Sequence, residues 1–194
     1  MKFKVLRQKA KLLDDSIDEY MKNEGTHFVP MRSLQELTSK TFPEAQRVNV
    51  GLHKLVFHLT YESHELALKI GKKETIERDH HAYKLLPHPL RHVYFARIFW
   101  HSKYCLLQDY GEEAEATYDQ IKMLRSIGYK YGLLDITCEN IRTFNGYLKI
   151  VDASVAPYGL YRIWKTADLI LRRLPTPVRM IIRRARILST VRET

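Results

Sequence analysis

Three oxygen-bearing side chains, Asp135, Asn140 and Asp152, lie close together in the chain and are of the types that bind metal ions. Between the last two, Asn145-Gly146 separates two extended, apolar-rich runs. Asn-Gly in such a setting predicts a β-hairpin, because both residues tolerate the positive φ of a type I′ turn. The hairpin would return Asn140 and Asp152 to the same end of a two-stranded ribbon, with Asp135 just upstream. Carboxylate and amide oxygens suit a hard cation such as Mg²⁺, which would bring phosphate groups with it.

The same stretch resembles the catalytic segment of the protein-kinase-like family. That segment reads H-R-D-x-x-x-x-N and is followed by a hairpin and a D-F-G motif. Asp135 and Asn140 have the family's spacing, and Asp152-Ala153-Ser154 stands in the place of D-F-G. The resemblance implies catalytic roles for Asp135, facing an acceptor hydroxyl, and for Asn140, and it implies that Asn140 and Asp152 bind Mg²⁺. The alternative is a hairpin with an exposed aspartate at each end.

A lysine-bearing strand precedes this segment in the chain. Residues 47–70 alternate in the manner of β-strands, and Leu66-Ala67-Leu68-Lys69 resembles the family's V-A-I-K strand, whose lysine contacts phosphates. A lysine in an apolar strand needs a partner because burying an ammonium group is costly. The alternative is a strand-edge lysine that points to solvent. The family's glycine-rich loop over the phosphates is represented by a single glycine, Gly51.

A helix is predicted over residues 73–86. The resemblance implies that an acid on this helix pairs with Lys69. Asp79 lies on the inward, apolar face, whereas Glu77 has the family's residue type but lies about 200° away at about 100° per residue. We expect Asp79 to be the partner and keep Glu77 as the alternative.

Residues 94–100 and 104–110 predict a second hairpin. Its end, Asp109-Tyr110-Gly111, resembles the kinase hinge, where backbone groups would hold the adenine of ATP. The alternative is an edge strand followed by a turn.

Helices are predicted at three further places. An apolar stripe runs through residues 1–24, and Ser33 with Glu36 fits a capping box at the start of a second helix. Pro87 and Pro89 are expected to end the helix before them, and residues 112–126 are expected to be helical.

Length and composition favour a globular intracellular protein. The chain has 194 residues, and its 45% hydrophobic and 28% charged residues exclude a disordered chain. Cys105 and Cys138 do not suggest a disulfide framework, so we expect a reducing cytoplasm. The N-terminus has no apolar run typical of a signal peptide, and no stretch approaches the ~18 apolar residues of a membrane span.

The C-terminal residues 156–194 are strongly basic. They carry nine basic and two acidic side chains, and so hold most of the net charge of +10. Apolar residues interleave with the arginines, which predicts two amphipathic helices on either side of Pro175-Thr176-Pro177. Such helices suit an anionic membrane surface. The alternatives are that they complete the core and show arginines to solvent, or, ranked last, that they bind nucleic acid.

The sequence therefore predicts an α+β, protein-kinase-like, two-lobed fold. We expect a helical N-terminal extension (residues 1–46), an N-lobe (47–111) and a shortened C-lobe (112–194). The short C-lobe resembles small atypical kinases that act on lipopolysaccharide-core sugars, and compact Ser/Thr kinase-like proteins. The implied function is ATP- and Mg²⁺-dependent phosphoryl transfer to a hydroxyl of a sugar, a lipid-linked sugar or a protein, in the cytoplasm or at the inner face of a membrane. The alternative is a kinase-like scaffold with little or no catalysis that binds a partner or a membrane.

Overall fold

A five-stranded antiparallel sheet organises the part of the chain that the structure describes. The structure is a computed structural model and describes residues 3–50 and 54–156. The protein is of mixed α+β class, as expected. Gly51 and nearly all of the predicted basic tail, residues 157–194, lie outside the described residues.

The helices are α1 (Lys4–Asn23), α2 (Met31–Thr41), α3 (Lys73–Leu85), α4 (His88–Tyr94) and α5 (Tyr118–Lys130). The strands are β1 (Gln46–Val50), β2 (Lys54–Tyr61), β3 (His64–Gly71), β4 (Ile98–His101), β5 (Cys105–Asp109), β6 (Glu112–Glu113), β7 (Leu133–Leu134), β8 (Ile141–Phe144), β9 (Tyr147–Ile150) and β10 (Ser154–Val155). The large sheet has the order β1-β2-β3-β5-β4, and two smaller sheets have the orders β6-β8-β9 and β10-β7.

One face of the large sheet is covered by the N-terminal helices. The predicted apolar stripe of α1 is buried against β2, β3 and β5 in a single hydrophobic cluster. Because side chains alternate along a strand, Leu66, Leu68 and Ile70 of β3 face this cluster, and Lys69 faces the other way. The N-terminal extension therefore closes one side of the sheet and leaves the lysine on the opposite side.

A second hydrophobic cluster lies on the lysine side of the sheet. It joins α3 and α5 to the β8–β9 hairpin, with Tyr83, Leu86, Leu124, Ile136 and Ile150 among its buried members. This cluster fixes the predicted catalytic segment beneath the sheet.

Two helix starts differ from the sequence predictions. The capping box at Ser33 is wrong, because α2 already begins at Met31 and the Ser33 hydroxyl instead contacts that of Tyr20 at 3.1 Å. The helix expected from residue 112 begins later, because Glu112–Glu113 pairs with β8 as a strand. A capping box is present there, at Thr117 and Gln120, each side chain hydrogen-bonding the other residue's backbone N–H.

Two further boundaries were wrong. The expected strand over residues 94–100 is only Ile98–His101, because α4 extends as far as Tyr94. Pro89 lies in the first turn of that helix, where its missing N–H costs nothing. Gly128, beyond the helix end expected at residue 126, lies inside α5, where a side chain would collide with Ile136.

A buried carboxylate fastens α1 to the turn between β4 and β5. Asp14 accepts hydrogen bonds from the backbone N–H groups of Lys103 and Tyr104, each at 3.0 Å, and from the Ser102 hydroxyl at 3.2 Å. Burial raises the pKa of Asp14, although these hydrogen bonds oppose the shift. The aspartate therefore satisfies backbone donors that would otherwise lack a partner.

We predict that Asp14→Ala lowers the free energy of unfolding by about 2 kcal/mol, because it leaves buried backbone donors unsatisfied. Urea denaturation of the full chain measures this change. Asp15→Ala, at the exposed neighbouring position, is the matched control and should change stability by less than about 0.5 kcal/mol. Equal effects of the two substitutions would show that Asp14 does not fasten the helix to the sheet.

Candidate functional site

The β8–β9 hairpin has the turn that the sequence predicts. Asn145 and Gly146 have φ values of 49° and 81°, both positive as a type I′ turn requires. Ile141 pairs with Ile150 at the open end of the hairpin. One step beyond that pair, the Asn140 carbonyl accepts a hydrogen bond from the Val151 N–H at 2.9 Å. The hairpin thus places Asn140 beside the residue that precedes Asp152.

The segment from Asp135 to Asn140 is held by hydrogen bonds to two of its backbone carbonyl groups. The Asn140 Nδ2 donates to the Asp135 carbonyl at 2.8 Å, and the Thr137 N–H donates to the same carbonyl at 3.2 Å. Arg125 of α5 donates through Nε to the Ile136 carbonyl at 2.6 Å. Asp135 itself has a left-handed backbone, with φ 59°, a conformation that aspartate adopts more readily than most residues. These contacts fix the backbone that carries the Asp135 carboxylate.

Asp135 and Asp152 lie at the same end of a short strand pair. Strands β7 and β10 are antiparallel, with Leu134 opposite Ser154. Asp135 directly follows β7, and Asp152 stands just before β10. The Asp135 residue is exposed, whereas the Asp152 side chain is only 27% exposed. Of the two aspartates, Asp135 is therefore open to solvent, and Asp152 is turned towards the sheet.

Lys69 links the sheet to this segment. It is only 4% exposed, and its Nζ donates to the Val151 carbonyl at 2.6 Å. The same Nζ lies 3.6 Å from Oδ2 of Asp79, which is also buried. Gln108 of β5 donates to the Val151 carbonyl as well, at 3.2 Å. The lysine is therefore a buried, partnered group rather than the solvent-facing lysine of the alternative interpretation.

A second lysine in the site was missed by the sequence analysis. Lys54, the first residue of β2, places its Nζ 2.6 Å from Oδ2 of Asp79 and 2.6 Å from Oδ2 of Asp152. Its side chain is 13% exposed. A lysine at the start of a strand usually reaches solvent, so nothing local in the sequence marked it. Its place in the site follows from the register of the sheet, because Lys54 lies two residues before Val56, which pairs with Lys69 across β2 and β3.

These four side chains form a cluster of two ammonium and two carboxylate groups, which we call the charge cluster (Lys54, Lys69, Asp79 and Asp152). Burial alone would raise the pKa of Asp152, but Lys69 and Lys54 outweigh it and hold that pKa below its ordinary value. Burial would lower the pKa of Lys54, but Asp79 and Asp152 raise it above the ordinary value. Burial lowers the pKa of the more enclosed Lys69, although Asp152 opposes the shift. Asp152 therefore remains an ionised carboxylate at neutral pH.

The two acids proposed as partners of Lys69 occupy different environments. Asp79 points inward from α3 into the charge cluster, as its position on the apolar face predicts. Glu77 is exposed and lies 3.8 Å from Lys73 on the same helix. Geometry therefore pairs Lys69 with Asp79, and Glu77 lies apart from the cluster.

The segment that resembles a hinge is tied into its surroundings. The N–H of Asp109 donates to the Arg97 carbonyl at 2.9 Å, and that of Tyr110 donates to the Glu65 carbonyl at 3.1 Å. A nucleotide base at these two residues would therefore meet their carbonyl groups or side chains, and not their N–H groups. Gly111 packs so tightly that a Cβ would lie 2.6 Å from the Phe144 ring. The glycine thus permits the close approach of this segment to the β8–β9 hairpin.

The donor set fits Mg²⁺ that arrives bound to phosphates. The described residues contain no group of three or more His, Cys, Asp or Glu side chains arranged to hold a metal by themselves. Asp152 offers an ionised carboxylate, and Asn140, whose Nδ2 is occupied by Asp135, offers its amide oxygen. Two ligands from the protein, completed by phosphate and water, are typical of Mg²⁺ in nucleotide sites.

Two further features of the site are its positive charge and a buried oxygen without a partner. Lys54 and Lys69 supply positive charge for phosphate groups. The Oε1 atom of Gln108 is buried and has no hydrogen-bond partner among the described residues.

Comparisons with known proteins did not assign the chain to a family. No protein-family model matches it, and no curated protein matches it. In the part of the chain that the structure describes, no helix combines the length and the apolarity needed to cross a membrane.

We predict that Asp79→Ala lowers the free energy of unfolding by about 3 kcal/mol, because it leaves two buried lysines to share one carboxylate. Glu77→Ala, two positions away on the same helix, is the matched control and should cost less than about 0.5 kcal/mol. Chemical denaturation of both variants measures the difference. A Glu77→Ala cost as large as that of Asp79→Ala would contradict the assignment of Asp79 to Lys69.

Proposed function

We propose that this protein is an ATP- and Mg²⁺-dependent phosphotransferase with a protein-kinase-like fold, acting on a hydroxyl group. The observation that carries the proposal is the position of Lys69. The buried lysine contacts Asp79 from the following helix and the Val151 carbonyl, one residue before Asp152. A lysine, a helix-borne acid and a second aspartate after a hairpin are the parts that the family resemblance implies.

The arrangement of elements supports the kinase-like fold. The lysine strand β3 is followed directly by α3, which carries the acid, and β5 leads through Asp109 and Tyr110 towards the segment that contains Asp135. The differences from the family are local. The glycine-rich loop has one glycine, Leu133-Leu134 replaces His-Arg before the catalytic Asp, and Ala153-Ser154 replaces Phe-Gly.

Each residue of the site has a role in the proposed reaction. The acceptor oxygen forms a bond to the terminal phosphorus of ATP, the bond from that phosphorus to the bridging oxygen breaks, and ADP leaves. Asp135 orients the acceptor hydroxyl and accepts its proton. Lys69, steadied by Asp79, contacts phosphates that are not transferred. Asn140 and Asp152 hold Mg²⁺, which neutralises phosphate charge when it is bound.

The acceptor side of the site is open. Asp135 is exposed, whereas the charge cluster is largely buried, so an acceptor reaches the aspartate from solvent. We propose a sugar or a lipid-linked sugar as the acceptor, with a protein serine or threonine as the second choice. The basic residues 156–194 would hold the enzyme at the anionic inner face of a membrane.

One observation favours a second candidate function, a kinase-like scaffold with little catalysis. Lys54 contacts the Asp152 carboxylate, with 2.6 Å between Nζ and Oδ2. If that contact persists, Asp152 is a structural counter-ion rather than a metal ligand. The protein would then act by binding a partner.

We predict that the full chain consumes ATP in the presence of Mg²⁺, slowly without an acceptor. Asp135→Asn and Asp152→Asn should each lower turnover by about 10²-fold or more, since each removes a group that acts in the transition state. Asp119→Asn, at an exposed position on α5, is the control and should retain full turnover. Release of ADP, with circular dichroism to verify folding, measures the outcome.

Two results would contradict the proposal. The first is an absence of ATP turnover together with an unchanged melting temperature in Mg²⁺ and ATP, since a ligand that binds the native state must stabilise it. The second is turnover that survives in both aspartate variants. The first result would favour the scaffold.

A further inference from the structure

We propose that Lys54 is a second phosphate-binding lysine which, before nucleotide arrives, neutralises Asp152 and keeps the metal position closed to a free divalent cation. The inference rests on the proposed function, because it assigns a regulatory contact to the same site. It adds a residue that the family resemblance did not supply.

The position of Lys54 places it on the site side of the sheet. Leu55, the next residue of β2, is buried under α1, so the alternation of side chains turns Lys54 to the opposite face, where Lys69 lies. There its Nζ bridges Asp79 and Asp152, at 2.6 Å from each. Lys54 therefore contacts the carboxylate proposed as a metal ligand, whereas Lys69 contacts the backbone beside it.

The charges of the cluster explain why the contact blocks a free cation. The charges of two ammonium and two carboxylate groups sum to zero, so the cluster has no surplus negative charge to attract a cation. A divalent cation bound to Asp152 would also lie within a few ångströms of the Lys54 ammonium, which shares that carboxylate. Like charges at such a distance repel strongly in a site with little water. A free cation must therefore take Asp152 from Lys54, which is left with Asp79 alone, a carboxylate that it shares with Lys69.

A nucleotide changes this balance. Mg²⁺ bound to ATP carries net negative charge, so its phosphates offer Lys54 new oxygen partners when the metal takes Asp152. Lysine suits such an exchange, because its ammonium is a point charge on a flexible four-carbon stem. Residues 50–56, where the family has a glycine-rich loop, contain one glycine, Gly51. A lysine ammonium would thus supply there some of the phosphate contact that backbone N–H groups otherwise give.

The first test uses a divalent cation alone. Mn²⁺ binding, read by electron paramagnetic resonance, should be absent in the native chain at millimolar cation and present in Lys54→Met. The combined variant Lys54→Met/Asp152→Asn should lose the new site. Lys73→Met, a lysine on the exposed face of α3, should behave as the native chain does. Lys54→Gln provides a second neutral variant if the methionine variant does not fold.

The second test uses the nucleotide. Lys54→Met should weaken binding of Mg²⁺-ATP by about 10-fold or more, the loss expected for a charge-assisted hydrogen bond to phosphate. Binding of adenosine, which has no phosphate, should be unchanged. Lys54→Arg should recover part of the loss. Isothermal titration calorimetry measures each of these values.

The outcomes separate this inference from the proposed function. If the native chain binds Mg²⁺-ATP and the neutral Lys54 variants bind it equally well, the inference is wrong and the proposed function stands. If the native chain binds no nucleotide, the proposed function fails and Lys54 has no phosphate role. The Mn²⁺ measurement then decides whether Lys54 closes the metal position. Mn²⁺ binding to the native chain at Asp152, equal to that of Lys54→Met, would also overturn the inference.

Discussion

The pairing of four charges, two of them buried and two partly buried, is the constraint on which the rest of the structure depends. Lys54 and Lys69 come from the sheet, Asp79 from α3 and Asp152 from the segment after the hairpin, so these elements must come together for any of the four to be paired. An unpaired ion at such a depth would cost several kcal/mol. Buried ion pairs are nevertheless a weak source of stability compared with apolar packing. The presence of the charge cluster is therefore better explained by a function that uses these charges than by a contribution to stability.

Much of the fold could be predicted because the signals were local. The stripe along α1 and the Asn145-Gly146 turn depend on periodicity and on backbone preference, which a short stretch of sequence contains. The predicted helix starts were wrong where contacts with distant parts of the chain determine the observed start. Ser33 is part of a good capping box by sequence, yet α2 begins before it, and its hydroxyl contacts Tyr20 of α1. Glu112 resembles the start of a helix, but pairing with β8 makes it a strand.

The part of the site that depends on helix geometry and motif spacing could be predicted from the sequence. The choice of Asp79 over Glu77 followed from which face of α3 is apolar, and the structure places Asp79 in the charge cluster. Lys54 could not be found in the same way, because its partners are distant in sequence and meet it only when the sheet, helix and hairpin have assembled. If the proposed function holds, Lys54 would compensate for the single glycine in residues 50–56, where the resembled family has a glycine-rich loop.

Affinity labelling with an ATP derivative that carries an acyl group on its terminal phosphate would show whether nucleotide phosphates bind at the charge cluster. Such a reagent transfers its acyl group to a lysine amine beside the bound phosphates, and peptide mass spectrometry identifies that lysine. We expect acylation of Lys69 or Lys54, with protection by excess Mg²⁺-ATP. Labelling confined to exposed lysines such as Lys11, with no protection by nucleotide, would contradict the claim that the charge cluster is a phosphate site.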